Sequence, residues 1–336
     1  MPNKVRLLMV LLLISTTTQA QWFKYSSTAM TTEIVLELWH DDQIKAKQIS
    51  QQVFLEFKRI ESVMTRYDES SELSGINKHA ANKPVKVSNE LFTVLSMAQK
   101  IAVLSQGAFD ITFASVGYLY DYRQAKQPDA SDVLNKLSNI NFRNIVLNNH
   151  KQTIYFKREG VLIDLGGIAK GYAVDQGIKL LKKSGVKFAS LSAGGDMRLL
   201  GDKKGKPWIV GIKDPRAVQN ENQHVVVLPL SDTAISTSGD YERFFIDEHG
   251  DRIHHILSPK TGRSVKGVQS VTVLGPDSVT SDGLSTAIFV LGVEKGIEMV
   301  ERLPGIDVVI IDALRKVHFS EGLMPPKKHI PETRIN

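Results

Sequence analysis

The sequence predicts an α+β fold. Three observations carry that expectation. Apolar residues recur with period 2 in some segments and at helical spacing in others. The two kinds are interleaved without a strict βαβ rhythm, which speaks against a doubly wound sheet. The usual nucleotide-fold signatures also fail: Gly166-Gly167-Ile168-Ala169-Lys170-Gly171 is neither G-x-G-x-x-G nor a P-loop, and Gly201-Asp202-Lys203-Lys204-Gly205-Lys206 is one residue short of a P-loop and precedes no good helix.

In chain order, Thr32 to Trp39 reads as a strand, with Ile34, Leu36 and Leu38 alternating against Glu33 and Glu37. Ile44, Ile49, Val53, Phe57, Ile60 and Met64 then mark a long amphipathic helix. A second helix runs from a Ser88 cap through Leu91, Val94, Leu95, Ala98, Ile101 and Ala102, stopping before Gly107. Short strands are expected at Asn144–Leu147, Thr153–Phe156 and Val161–Asp164, followed by a helix at Ala169–Lys183 and a strand at Phe188–Leu191. The second half adds strands at Trp208–Ile212, Val225–Leu228, Ala234–Thr237 and Ser270–Leu274. A helix holding Asp282 and another near Glu294–Leu303 precede a final hairpin, Asp307–Ile311 and Lys316–Phe319.

The ends are distinct from this body. Lys4 and Arg6, the apolar run Leu7 to Ile14 and the small-polar stretch to Thr18-Gln19-Ala20 fit a cleavable export signal at 1–20. The run is short for a membrane span of about 20 residues. An uncleaved anchor in the inner membrane is the alternative. Residues 324–336, from Met324-Pro325-Pro326, read as an extended tail. With no cysteine, lipid attachment through Cys, disulfides, thiol catalysis and Cys-type zinc or iron–sulfur sites are excluded. Loss of residues 1–20 removes two basic residues and no acid, lowering the net charge from +6 to +4. That charge is mild and no basic block with interleaved aromatics appears, so a nucleic-acid partner is not expected.

The most informative segment is Thr280-Ser281-Asp282-Gly283-Leu284-Ser285-Thr286-Ala287. Asp282, Ser285 and Thr286 stand at i, i+3 and i+4 of a helix start, on one face, and offer only oxygen, as a hard cation prefers. The helix start also gathers free N–H groups that welcome phosphate. An ordinary capped first turn fits the same residues. Asp164-Leu165-Gly166-Gly167-Ile168-Ala169-Lys170-Gly171-Tyr172 leads from an apolar segment through two glycines into a helix, either a tight turn or a close backbone approach to a phosphate beside Lys170. Ser192-Ala193-Gly194-Gly195-Asp196 reads as a plain turn. Gly107-Ala108-Phe109-Asp110 and the polar loop around Tyr67 fit a helix end and an exposed tyrosine, or a seat for a flat ring. His254 and His255 are adjacent in a strand, so at most one faces a site.

Taken together and in order, these segments resemble the ApbE family of FAD:protein FMN transferases. The resemblance spans Met30 to Gly292 and rests on the Tyr67 loop with Ser71-Glu72-Leu73 and Asn77, Gly107–Asp110, Asp164–Tyr172, Gly194-Gly195-Asp196, Thr237-Ser238-Gly239-Asp240-Tyr241, His255 to Gly262, and Ser281–Ala287. It implies two intertwined α/β subdomains, T-fold-like, with FAD in the cleft between them, and a catalytic domain at 21–323. It further implies Mg2+-dependent cleavage of the FAD pyrophosphate, attachment of FMN by a phosphoester to a Thr or Ser of a target protein, and release of AMP. The implied target is a periplasm-facing, flavin-carrying subunit of a membrane redox complex, which agrees with the export signal. By motif, the Mg2+ ligands would be Asp282 and Thr286, with Ser285 close by and the backbone oxygen of Gly167. Met30, Tyr67, Ala108, Phe109, Asp110, Asp164, Lys170 and Ile256 match FAD-contacting positions, and His255 stands where it can meet the cofactor or the incoming hydroxyl. Asp282, His255 and a metal-bound group all remain open as general base.

The chain departs from the family pattern in places. Met30-Thr31-Thr32 replaces the common Met-Gly-Thr, Thr65 stands where Ser is frequent, Ser192 replaces a frequent Asn, and Phe113 to Tyr122 differs from the Pro- and Trp-containing version. A pyrophosphatase using water as acceptor, a non-catalytic flavin carrier and a purely structural domain are the competing readings.

Overall fold

The computed structural model describes residues 20–217 and 223–324. Apart from Ala20 and Met324, the expected export signal and tail lie outside the described residues.

The described chain opens with an antiparallel hairpin, β1 (Gln21–Ala29) and β2 (Thr32–His40). β1, an edge strand, escapes sequence patterning because its inward positions beyond Tyr25 are Ser27 and Ala29. Met30 and Thr31 turn the hairpin with φ of 52° and 60°, as a two-residue type I′ turn requires. For a β-branched residue such as Thr31 that left-handed conformation costs of order 1–3 kcal/mol. α1 (Gln43–Met64) follows, capped by Asp42, with Ile49, Val53, Phe57, Ile60 and Met64 on its buried stripe. α2 (Glu72–His79) is capped by Ser71. After β3 (Val85–Lys86), α3 (Asn89–Leu104) starts at the Ser88 cap, as its sequence predicts. The short helices α4 (Ala114–Gly117) and α5 (Ala130–Leu137) lead to β4 (Ile145–Asn148) and β5 (Thr153–Phe156), which join β3 in a small sheet.

The strand expected at Val161–Asp164 does not form. Side chains satisfy its backbone instead. Leu162 N–H donates to Ser115 Oγ at 3.0 Å, Ile163 N–H to Asn77 Oδ1 at 2.8 Å, and Asn77 Nδ2 and Tyr118 Oη donate to Ile163 O at 2.9 and 2.8 Å. The segment is thereby held extended and led to the start of α6 (Ala169–Lys183). β6 (Ala189–Ala193) and β7 (Asp196–Leu200) form a hairpin around Gly194-Gly195, and β8 (Trp208–Lys213) pairs with β9 (His224–Leu230). β10 (Ala234–Gly239), the small hairpin β11 (Phe244–Ile246) and β12 (Arg252–His254), and β13 (Val268–Gly275) precede α7 (Ser278–Leu291) and α8 (Val293–Val300). β14 (Asp307–Asp312) and β15 (Val317–Phe319) close the described chain.

The main sheet has the order β1-β2-β6-β7-β10-β13-β14-β15. Every ladder among the described residues is antiparallel, so no doubly wound sheet forms. All eight residues of β13 are buried, as befits an inner strand covered on both faces. α1, α6 and α7 cover one face, and Leu36, Leu191, Val271, Val273 and Ile310 point into that core with Phe57 and Phe289. The β8–β9 hairpin covers the other face through Trp208 against Leu199 and Ile235, and Ile212 against Val309 and Ile311.

The starts of α6 and α7 touch. A Cβ on Gly171 would lie 2.3 Å from Ser278 O, so only glycine allows this approach. Asp175 of α6 accepts hydrogen bonds from the N–H groups of Ser278 (3.0 Å) and Val279 (2.9 Å), capping the neighbouring helix.

Candidate functional site

A cleft of about 410 Å³ opens beside these two helix starts, a volume within the range of small-molecule sites. Its floor is the first turn of α6, with Ala169 and Lys170, and the second and third turns of α7, with Asp282 and Thr286. Asp282 is 3% exposed, and its Oδ2 accepts from Gly171 N–H at 3.0 Å. Lys170 Nζ lies 3.9 Å from Asp282 and 2.5 Å from Asp196 Oδ2, so one ammonium serves two buried carboxylates. Burial, then the charge of Asp196, push the Asp282 carboxyl up; Lys170 and the Gly171 N–H oppose them. For Lys170, burial disfavours the ammonium, but Asp196 and Asp282 outweigh it and hold the charged form.

Thr286 is one turn beyond Asp282 and lines the cleft, with Oγ1 3.3 Å from Ser238 Oγ. Gly167 closes against it, since a Cβ there would sit 3.2 Å from Thr286 Oγ1. Ser285 turns away: it is 1% exposed, does not line the cleft, and its hydroxyl meets Ser238 Oγ and donates to Asp282 O, both at 2.8 Å. Positions i+3 and i+4 are about 100° apart around a helix, and here only i and i+4 present to the cleft. Asp282, Thr286 and the Gly167 backbone form an all-oxygen set, which fits a hard cation such as Mg2+. Among the described residues no group of three or more His, Cys, Asp or Glu could hold a metal. A cation here would therefore draw on hydroxyl, backbone and ligand oxygens.

The walls come from sequence-distant loops. Met30, Ala108, Phe109, Asp110, Asp164, Lys170, His255 and Ile256 all line the cleft. The Asp110 carboxylate is committed to its own loop, accepting from Thr112 N (2.8 Å), Thr112 Oγ1 (2.6 Å) and Phe142 N (2.7 Å). It therefore shapes the wall more than it offers a free carboxylate. Asp164 Oδ1 accepts from Gly166 N–H at 2.7 Å, fixing the glycine turn. His254 turns to the interior, with Nε2 2.8 Å from Val265 O and its ring edge against Phe289. His255 faces the cleft. Burial, then the charges of Arg243 and His254, push its pKa down to about 3, so the imidazole is neutral at pH 7. Its Nδ1 is sealed from solvent without a hydrogen-bond partner.

At the rim, Tyr67 is 67% exposed, and the Arg66 guanidinium lies 4.4 Å from its ring centroid and 4.1 Å from that of Tyr118. Arg66 also donates to Tyr67 Oη at 3.0 Å and sits 3.8 Å from Asp164. Burial, then the Asp164 charge, raise the Tyr118 pKa, keeping its hydroxyl a donor. Sequence reasoning assigned no role to Arg66, Tyr118, Asp196, Ser238 or Arg243, all but Asp196 lining the cleft. Asp196 and Ser238 adjoin the glycines of Gly194-Gly195-Asp196 and Thr237-Ser238-Gly239, and Arg66 precedes Tyr67 in its loop, whereas Tyr118 and Arg243 carry no local signal.

The cleft thus brings together an aromatic rim, the Lys170 ammonium and a set of oxygen atoms on its floor. The ApbE family model matches residues 30–310, and the chain belongs to the ApbE family. It is 30% identical over 301 residues to an FAD:protein FMN transferase of Klebsiella pneumoniae (strain 342), covering 89% of this chain and 92% of that protein. It is 34% identical over 254 residues to an FAD:protein FMN transferase of Haemophilus influenzae, covering 73% of each. Among solved structures, the ApbE protein of Thermotoga maritima superposes with a TM-score of 0.82 at 32% identity, covering 90% of this chain and 98% of that one. The flavin transferase ApbE of Vibrio cholerae gives 0.80 at 28% identity, with the same coverage. The α+β architecture expected from the sequence is the one these relatives share.

Proposed function

We propose that this chain is an Mg2+-dependent FAD:protein FMN transferase. The observation that carries the reading is the convergence, in one cleft, of the Asp282–Thr286–Gly167 oxygen set, the Lys170 ammonium and the Tyr67–Arg66–Tyr118 rim. The rim offers a flat face to a ring system, and Lys170 with the α6 start offers positive charge to a pyrophosphate. Asp282, Thr286 and the Gly167 backbone would hold Mg2+, which when bound neutralises phosphate charge and makes the phosphorus a better electrophile. Lys170 keeps Asp196 and Asp282 compatible with each other at the floor. The acceptor is a Thr or Ser hydroxyl of a target protein. Its oxygen bonds to the FMN-side phosphorus, the phosphoanhydride P–O bond breaks, and AMP leaves with the bonding electron pair. The hydroxyl proton passes to a base. Asp282 and His255 both line the cleft; the Asp282 carboxyl, raised to about 7, has the basicity to take the proton, and the neutral His255 imidazole is placed to orient the hydroxyl. Phosphoryl transfer asks chiefly for positioning and electrostatics, so a nucleophilic triad is not needed. A target in a periplasm-facing redox subunit, reached after export, is part of the same proposal.

The test is incubation of the protein with FAD, Mg2+ and an acceptor domain bearing an exposed Thr, read by intact mass. One FMN phosphoryl unit gained by the acceptor, and lost with EDTA, is the expected result. FMN and AMP formed across a panel of acceptors, none of them modified, would instead mark a pyrophosphatase.

A further inference from the structure

The turn between β1 and β2 goes against local preference. Thr31 holds φ at 60°, a conformation that glycine or asparagine takes easily and a β-branched residue does not. It is exposed, so no core contact compensates the strain. What its side chain does is reach across the cleft: Arg243 Nη2 donates to Thr31 Oγ1 at 2.6 Å, and both residues line the cleft. Glycine at this position would relieve the strain and lose that bond.

Arg243 differs from the other cleft cations. Lys170 is paired with Asp196 at 2.5 Å, and Arg66 lies 3.8 Å from Asp164. Among the described residues no carboxylate forms an ion pair with Arg243 within 4.0 Å, although its neighbour Glu242 also lines the cleft. Its charge is felt by Lys170 and His255, where it disfavours a proton on each. With His255 neutral and Lys170 matched by Asp196 and Asp282, Arg243 is left as a cation on this wall with no carboxylate among the described residues paired to it. A guanidinium with free N–H groups is also well matched to phosphate oxygens.

We propose that Arg243 binds an anionic phosphate oxygen of the dinucleotide, and that Thr31 is the positioning residue whose hydroxyl holds the guanidinium over the cleft. The proposal rests on the flavin-dinucleotide reading above and deepens it. Strain at Thr31 is thus retained for ligand binding and not for stability, which gives the two quantities opposite signs.

The test measures melting temperature, and the affinities for FAD and for riboflavin by flavin fluorescence, at several salt concentrations. Thr31→Gly is expected to melt a few degrees higher and to bind FAD roughly fivefold more weakly, with riboflavin unchanged within about twofold. Thr31→Val should show the affinity loss without the thermal gain, and Thr31→Ser should keep FAD affinity within about twofold. Arg243→Gln should weaken FAD roughly 10- to 50-fold and flatten its salt dependence. Wild-type FAD affinity in Thr31→Gly, or equal losses for FAD and riboflavin, would overturn the proposal. Failure of the unaltered protein to bind FAD at all would overturn the transferase reading beneath it, a distinguishable result.

Discussion

The floor and the rim of the cleft are built on opposite principles. The floor is built on α6 and α7, locked together by Gly171, by Asp175 capping α7, and by the Lys170 bridge between Asp196 and Asp282. Its polar groups are buried and nearly all partnered. The rim is made of loops. Tyr67 is 67% exposed and is steadied by a stacked guanidinium rather than by a core. A buried, pre-organised floor suits transition-state electrostatics, and an exposed aromatic rim suits capture and release of a large ring. The floor should therefore govern turnover, and the rim affinity.

The sharpest way to break that division is Asp282→Asn. Transfer should fall by about 10³-fold or more, the scale expected for losing a charge that organises phosphoryl transfer. Stability should not fall. A carboxyl whose folded pKa is raised costs stability as pH climbs above its ordinary value near 3.8. The amide removes that cost at pH 7 and still accepts from Gly171 N–H. A melting temperature well below wild type would show that the floor is structural first. The same raised carboxyl must lose its proton to hold a cation, so Mg2+ affinity should increase with pH in calorimetric titrations.

His255→Gln comes next, with a loss in kcat of about 10- to 100-fold from a poorly oriented hydroxyl and little change in FAD affinity. Because burial and neighbouring charge push the His255 pKa down to about 3 in the folded protein, it stays neutral where an unfolded histidine protonates. The unfolded chain therefore binds the extra proton below pH 6.5, and stability contributed here declines as pH falls from there toward the folded value. Urea titrations of wild type and His255→Gln between pH 7 and 4 would show a smaller decline in the variant.

Tyr67→Ala should raise the FAD dissociation constant roughly tenfold while leaving the melting temperature unchanged, since so exposed a ring buries little. Equal damage to kcat would blur the line between floor and rim. The smallest effect sharpens the floor itself. Ser285→Ala should keep transfer within about threefold of wild type and cost about 1 kcal/mol of stability by removing the hydrogen bonds of its hydroxyl with Ser238 and Asp282 O, whereas Thr286→Ala should raise the Mg2+ concentration needed for transfer.

The floor was legible because its residues share short, regular segments. α6 spans Ala169–Lys183, the same residues its sequence pattern predicts, between a glycine turn and a lysine-rich end. The Asp282 helix was equally clear, although spacing alone did not reveal that Ser285 faces Ser238. Outside the floor, local pattern misled where tertiary partners replaced strand neighbours. Val161–Asp164 looks like a strand, yet Asn77, Ser115 and Tyr118 satisfy its backbone. β1 was hidden because its inward positions beyond Tyr25 are Ser27 and Ala29, too small or polar to mark an apolar face. Arg66, Tyr118 and Arg243 come together only through the fold, and no spacing rule links residues so far apart.

The most direct measurement of this division is a fluorescence titration of Asp282→Asn with FAD in the absence of divalent cation. The account predicts an affinity within about twofold of wild type under the same conditions, despite loss of transfer, because the rim and Arg243 hold the ligand. A dissociation constant more than tenfold weaker, with the fold intact, would place Asp282 in ligand capture and contradict it.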